Sequence, residues 1–352
     1  MIEKDDLRAA VGSGLLTEKQ AADLISLSDS RRGARENLSP GDEPFELFKG
    51  FNEIFIVVGL TILAFGWFGV VGLALGDRIV DLKQYAAVVA LTGAGVLWLL
   101  SEYFVRKRRM IAPAIALSIM FAGNAAFGFL TQMTHLFMIP QSDFSSVPLP
   151  LLLATLSLLI YWWRFRVPFA MAMIAVGLFS VAIVFAASRG GQVEEIGDLF
   201  LLSAGGPFAW ITLVLGTLVF AVAMFFDMSD PHRVTRRSAN GFWLHVVAAP
   251  ALVNTIALSL LDSDRDGILL GVLMLFAIVA IIIDRRSFLM AAIGYIVAIA
   301  ITLLDGDGAA MTVLILGVVL LLLGAFWERI RAWILRLLPG FIPLHRLPPS
   351  QV

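Results

Sequence analysis

Cysteine is absent from this sequence, and charged residues are scarce. Without any cysteine among its 352 residues, the chain can form no disulfide bond, thiolate metal site or cysteine nucleophile. Charged residues make up 15% of the chain, whereas a soluble domain carries about 25%. The net charge is −1, so the composition offers no general basic surface, and we expect no nucleic-acid partner.

Catalytic motifs are missing as well. The sequence has no His-Glu-x-x-His metal helix, no Gly-x-Ser-x-Gly nucleophile turn and no glycine-rich phosphate loop. Glu194 and Glu195 form a glutamate pair like that of membrane-embedded prenyl-protein-type proteases, but Leu199 stands where that pattern has an arginine. We therefore expect no enzyme, no catalytic residue and no cofactor.

Long apolar runs dominate what is present. The chain is 59% hydrophobic and its mean hydropathy is +0.88. Judged against the about 20 apolar residues that cross a bilayer as a helix, these runs predict an all-α, polytopic membrane helix bundle. The ten predicted transmembrane helices are 54–76, 84–105, 110–131, 147–163, 167–187, 206–226, 240–261, 267–283, 287–304 and 308–327.

The cationic residues give this bundle a direction. Arg106-Lys107-Arg108-Arg109 lies between two apolar runs and must be a loop, because four charges do not sit in hydrocarbon. Of the 26 Lys and Arg residues, 22 fall on the side of this loop. The other four are Arg78, Lys83, Arg189 and Arg265. The positive-inside rule then predicts that both termini are cytoplasmic.

Two soluble segments flank the predicted membrane domain at 54–327. Residues 1–53 read as a cytoplasmic helical-hairpin head and linker, with Thr17 and Gln20 placed as a capping box. Residues 328–352 read as an amphipathic tail on the inner leaflet, where lipid headgroups would contact Arg329, Arg331 and Arg336. The alternative for the tail is a simple continuation of the last helix.

The segment Gly-Leu-Leu-Thr-Glu-Lys-Gln-Ala at 14–21 resembles the short helical hairpin that opens a group of uncharacterised bacterial polytopic inner-membrane proteins. The resemblance covers about twenty residues. It implies a multi-pass location in the bacterial inner membrane and carries no activity with it.

An acidic loop raises the question of a metal site. Asp262, Asp264 and Asp266 alternate as in the first half of a calcium-binding loop. The twelfth position of that loop should be a bidentate Glu, but here it is Leu273. We therefore expect no tight calcium site, and the favoured interpretation is that these aspartates end one helix and cap the next.

Three polar residues inside predicted spans are candidates for lining a substrate site. They are Asn124, Asn254 and His245, each also explained as a packing residue bonded to a neighbouring helix. A possible internal repeat of 84–187 and 206–304 places the two asparagines at similar depth, and matching Arg166 to Arg286 aligns one pair of basic turns. This predicts that the third and seventh spans face each other.

Two functions stay open at this point. The first is a transporter or binding protein for a neutral or lipid-like small molecule. The second is a non-transporting membrane scaffold or regulatory component that engages a cytoplasmic protein through its head. A polar cavity at mid-depth favours the first, and a close-packed apolar interior favours the second. The lipid bilayer is a partner in both, and the sequence leaves the oligomeric state open.

Overall fold

The computed structural model describes residues 10–17, 20, 24, 51–75, 81–135, 143–190, 196–231, 233, 236–263, 266–286, 306–338 and 346–348. Every regular element within these residues is helical. The chain separates into two compact units, Met1–Leu47 and Phe48–Ser350.

The first unit contains the predicted helix start. The Gln20 amide donates to Thr17 Oγ1 at 3.3 Å, and the Thr17 amide donates to Gln20 Oε1 at 3.0 Å. These reciprocal bonds satisfy two amides at the helix start, so the predicted capping box is confirmed. Just before it, Gly14 takes a left-handed φ of 75°, and its amide donates to the carbonyl of Val11, which ends the preceding turn.

The second unit is a bundle of helices. In chain order they are α1 (Phe51–Leu75), α2 (Leu82–Ser101), α3 (Ala112–Met133), α4 (Pro148–Phe165), α5 (Phe169–Ser188), α6 (Phe208–Met228), α7 (Arg236–Asp262), α8 (Asp266–Ile283) and α9 (Gly306–Leu337). A π-helix, Glu102–Lys107, continues α2. Two short 3-10 helices, Ile196–Leu199 and Leu202–Ala204, precede α6.

Helices α1 to α7 carry segments that are long and apolar enough to cross a membrane. These segments match the first seven predicted spans, and a shorter apolar helix at Gly267–Ile283 matches the eighth. The predicted span 287–304 lies outside the described residues, and 308–327 falls within α9. The seven helices are compatible with an integral membrane protein, while the count of ten and the orientation stay predictions.

Neighbouring helices pack as antiparallel hairpins. The closest partners are α6 with α7, α2 with α3, and α4 with α5, while α3 also packs on α4 and α1. Helix α7 packs further on α5 and α8. Many large apolar side chains point outward along these helices, as expected for surfaces that face lipid tails. They include Phe55, Ile62, Phe65, Leu91, Trp210 and Phe225.

Aromatic rings fill the core between α2, α3 and α4. Tyr161 and Phe121 stack with ring centroids 4.8 Å apart, and Phe165 lies 4.9 Å from Trp98. The Tyr161 hydroxyl is 2.8 Å from Ser101 Oγ, so this polar tip is hydrogen-bonded. Between α7 and α8 the core is aliphatic instead, built from Ala249, Val253, Ala257, Leu269, Leu273 and Ala280.

Helix α9 is interrupted at Phe326, whose backbone is non-helical (φ −114°, ψ 17°). This break lies next to Trp327, where the last predicted span ends and the predicted tail begins. The helix is therefore kinked there, and the location of the tail on the inner leaflet stays a prediction.

Candidate functional site

Four turns at one end of the bundle share an unusual backbone. Arg109, Arg166, Arg233 and Asp284 have φ between 52° and 57°, and they are the only non-glycine residues with positive φ in the described part of the chain. Each stands in the turn that follows α2, α4, α6 or α8. A left-handed conformation costs an L-residue about 1–2 kcal/mol, so other contacts must hold these turns. We call this end of the bundle the basic end.

Asp227, near the end of α6, is the centre of one buried group. Arg285 donates from Nε to Oδ2 at 2.9 Å and from Nη2 to Oδ1 at 2.5 Å. His245 of α7 places Nε2 2.9 Å from the same Oδ2, and it has no exposed surface. Arg285 also donates to the carbonyl of Ser238 at 2.9 Å. One carboxylate thus ties together α6, α7 and the turn after α8.

The absence of a side chain at Gly241 makes room for the Asp227 carboxylate. Gly241 of α7 lies directly against it, and a Cβ at that position would overlap Asp227 Oδ1 and lie 3.2 Å from the carbonyl oxygen of Ala223. A glycine is therefore required where α7 passes the charged group. The guanidinium carbon of Arg285 lies 6.0 Å from the centre of the Phe242 ring, within cation–π range.

Asp284 is the centre of a second buried group beside the first. Arg233 lies in the turn between α6 and α7 and places Nη1 2.9 Å from Asp284 Oδ2. Its Nη2 donates to the backbone carbonyl of Asp284 at 2.6 Å. Trp327 of α9 donates from Nε1 to Asp284 Oδ1 at 2.7 Å. The two charged side chains are each 4% exposed. Because Asp284 and Arg285 are adjacent, the two groups form one network, which we call the ionic cluster.

Arg331 extends the ionic cluster into the tail, and this corrects a sequence prediction. Its Nε donates to the carbonyl of Ile281 at 3.2 Å, and its Nη2 donates to that of Pro348 at 2.5 Å. The residue is fully buried. The predicted headgroup contact is therefore wrong for Arg331, because its side chain is buried and its Nε and Nη2 donate to protein carbonyls. Burial lowers the pKa of its guanidinium, and the nearby carboxylates of Asp284 and Glu328 act in the opposite direction.

The other two predicted headgroup residues lie on the surface. Arg329 and Arg336 are exposed, and the guanidinium carbon of Arg329 lies 5.8 Å from the centre of the Phe326 ring. Their contact with lipid headgroups stays a prediction.

No family model, no curated protein and no solved structure matches this chain. The role of the ionic cluster is therefore inferred from its contacts alone. Two carboxylates and three guanidiniums, with His245 and Trp327, connect α6, α7, α9 and the turn after α8. A buried charge that loses its partner is strongly destabilising, so the arrangement fixes the relative positions of these elements.

The predicted lining residues have different surroundings. His245 lies in the ionic cluster, as described above. Asn124 donates from Nδ2 to the carbonyl of Ala90 at 2.9 Å, across the interface between α3 and α2. Asn254 is half-buried on α7. The main packing partners of α3 are α2, α4 and α1, and those of α7 are α6, α5 and α8. That the two asparagines line one cavity stays a prediction.

In the acidic loop, the carboxylate of Asp262 bonds to another segment of the protein. Asp262 ends α7, and its Oδ2 accepts a hydrogen bond from Ser203 Oγ at 2.6 Å. The neighbouring Ser259 hydroxyl accepts from the Leu202 amide at 3.0 Å. These bonds hold the 3-10 segment against the end of α7. Asp266 begins α8, and Asp264 lies outside the described residues.

Most of the ionic cluster was not predicted from the sequence. Asp227 falls one residue beyond the predicted span, while Arg233 and Arg285 were counted as loop charges. One signal distinguishes them: the turns after α6 and α8 mix acids with bases, as in Asp284-Arg285-Arg286, whereas the turn after α4 has Arg164-Phe-Arg166 and no acid. Mixed charges in a turn indicate internal pairing.

Proposed function

We propose that this protein is a non-transporting component of a bacterial inner membrane, with both termini cytoplasmic, and that its helix bundle is a closed scaffold. The observation that carries the proposal is that most buried polar groups in the described part of the bundle bond to the protein itself. The charged groups of the ionic cluster bond to one another and to backbone carbonyls, as described above.

Hydroxyl groups along the apolar helices support the same conclusion. They donate to the carbonyl three or four residues earlier in their own helix, which leaves them no free donor for a solute in a cavity. This holds at Thr61, Ser101, Ser118, Thr155, Ser157, Thr217 and Thr255. An interior in which hydroxyls and charges are occupied in this way favours the scaffold over the transporter.

The head provides the surface for a cytoplasmic partner in this proposal. Its helix start is fixed by the Thr17–Gln20 capping box, and Leu15 and Leu24 are exposed at 79% and 42%. Exposed leucines at and near the start of a short helix are typical of a protein contact.

The absence of cysteine gives a direct test. Ala248 on α7 and Val253, one and a half turns further on, have no exposed surface. Each is replaced by Cys, and labelling with an impermeant thiol reagent is measured in native membranes from either side. We expect both positions to remain unlabelled, while the surface control Arg108→Cys is labelled rapidly. Labelling of Ala248→Cys from one side would contradict a closed scaffold, because it requires a water-filled path.

The same approach tests the orientation. Single cysteines at Arg108 and Asp264 lie on opposite sides of the membrane in the proposed topology. We expect an impermeant reagent applied outside intact cells to label Asp264→Cys and to spare Arg108→Cys. The opposite pattern would invert the topology.

A transporter or binding protein for a neutral or lipid-like molecule is the second candidate, and Thr212 favours it. Its hydroxyl is buried and has no hydrogen-bond partner among the described residues. A Cβ on Gly216 would lie 3.1 Å from Ala251 Cβ, so in this antiparallel pair Thr212 lies level with Thr255, next to Asn254. Labelling of Thr212→Cys together with Asn254→Cys would support a cavity there, and protection of both would exclude one open to water.

A further inference from the structure

One glutamate joins the C-terminal ends of α2 and α4. Glu102 places Oε2 3.0 Å from Arg106 Nη1 and Oε1 2.7 Å from Arg164 Nη2. Each carboxylate oxygen thus holds one guanidinium, and the two arginines come from different helix ends. This brings the cations at and after both helix ends into one patch, which we call the basic patch and which consists of Arg106, Lys107, Arg108, Arg109, Arg164 and Arg166.

The basic patch carries a large excess of positive charge. Five of its six cations are exposed, and Arg164 is half-buried. Two carboxylates lie near it. Glu102 is shared between two arginines, while Glu53 is buried and accepts bonds from the amides of Ile111 and Ala112. Most of the charge is therefore not neutralised by the described residues of these turns.

Aromatic side chains surround these cations at the helix ends. Lys107 Nζ and Arg108 Cζ lie 5.9 Å and 5.6 Å from the centre of the Tyr103 ring, and Arg166 Cζ lies 4.9 Å from that of Trp162. Trp163 is exposed. Tyr and Trp gather at the headgroup level of a bilayer, so the basic patch lies where lipid phosphates are.

We propose that the basic patch is a binding site for the headgroup of an anionic phospholipid. Guanidiniums bind phosphate oxygens with two parallel N–H donors. Because Glu102 pairs with both Arg106 and Arg164, it holds these two side chains next to each other. Clusters of basic residues at the end of a membrane helix attract anionic lipids by about 1 kcal/mol for each cation. The adjacent apolar helices provide the surface for the acyl chains.

The test compares two lipids that differ only in headgroup. Full-length protein in detergent micelles is titrated with phosphatidylglycerol and with phosphatidylcholine, both carrying the same fluorescent acyl chain, and Kd is measured. We expect the protein to prefer phosphatidylglycerol. The double variant Arg164→Gln, Arg166→Gln should weaken phosphatidylglycerol binding by about fivefold for each cation removed, with phosphatidylcholine binding unchanged.

Two further arms make the result decisive. Arg189→Gln is the matched control, since Arg189 is also exposed and lies 5.2 Å from the ring centre of Phe185, at the far end of α5. It should bind phosphatidylglycerol like the unaltered protein. Inorganic phosphate should not displace the lipid. Absence of a headgroup preference, an equal loss in Arg189→Gln, or full displacement by inorganic phosphate would overturn the proposal.

Discussion

Two ion pairs lie at the basic end, one in each half of the bundle. Glu102 and Arg164 link the C-terminal ends of α2 and α4, and their side chains are 30% and 36% exposed. Arg233 and Asp284 link the turns after α6 and α8, and each is 4% exposed. The backbone supports the comparison, because Arg166 and Asp284 each follow the last residue of a helix and both are left-handed.

The difference lies in what surrounds each pair. Water and the neighbouring cations of the basic patch surround Glu102, so its pair contributes about 0–1 kcal/mol. Asp284 instead accepts a bond from Trp327, and Arg233 donates to a backbone carbonyl. The same end of the bundle thus presents an exposed basic surface in one half and a buried ion pair between turns in the other.

Removing the buried carboxylate should have the largest effect. Asp284→Ala removes a buried carboxylate that pairs with Arg233 and accepts a bond from Trp327, and we expect a loss of about 3–5 kcal/mol in the free energy of unfolding. Unfolding in mixed detergent micelles measures it. In the double variant Arg233→Met, Asp284→Leu much of this loss should be recovered, because the charge of Arg233 is removed together with that of Asp284. A double variant as unstable as Asp284→Ala would show that charge is not the cause.

Adding a methyl group beside the ionic cluster should have the next largest effect on stability. Gly241→Ala forces its Cβ against Asp227 Oδ1, which Arg285 holds in place, and overpacking of this kind costs about 1–3 kcal/mol. The matched control is Gly59→Ala on α1, where a Cβ would meet nothing within 4 Å. We expect thermal unfolding to shift for Gly241→Ala only, and equal shifts in the two variants would contradict the tight fit.

A neutral contact in the first half should have a smaller effect. Asn124→Ala removes the bond to the Ala90 carbonyl between α3 and α2, worth about 0.6–2 kcal/mol in a membrane protein. Ser180→Ala is the control, because its exposed hydroxyl bonds only to its own helix. A change in stability no larger than that of Ser180→Ala would mean that the amide does not join the helices.

The exposed pair should have the smallest effect on stability. Glu102→Gln removes the charge shared by Arg106 and Arg164, and we expect a loss of about 0.2–1 kcal/mol that disappears at high salt. Unfolding measured at low and high ionic strength checks this. A salt-independent loss as large as that of Asp284→Ala would show that the two pairs are alike.

Hydropathy was enough to predict most of the helices. The predicted spans 110–131 and 147–163 lie within two residues of α3 and α4 at each end, because the cost of exposing backbone to lipid fixes where such helices start and end. The internal repeat stays a prediction, and the left-handed backbone of Arg166 recurs at Asp284 and not at Arg286.

The buried charges could not be found in this way. Hydropathy assigns a charged residue near the end of a span to a loop. It does so whether that side chain faces water or pairs with another side chain inside the protein. Asp227 and Arg285 are 58 residues apart in sequence and meet only after α6, α7 and α8 have packed. Arg331 is a further case, since its helical spacing predicts a surface residue while its donors reach carbonyls on two other segments.

Two double-mutant cycles test most directly whether burial makes the ion pair of one half stronger than that of the other. One cycle removes Arg233 and Asp284, singly and together, and the other removes Glu102 and Arg164. We predict a coupling free energy above about 2 kcal/mol for the buried pair and below about 1 kcal/mol for the exposed pair. Equal coupling in the two cycles, or stronger coupling between Glu102 and Arg164, would contradict this account.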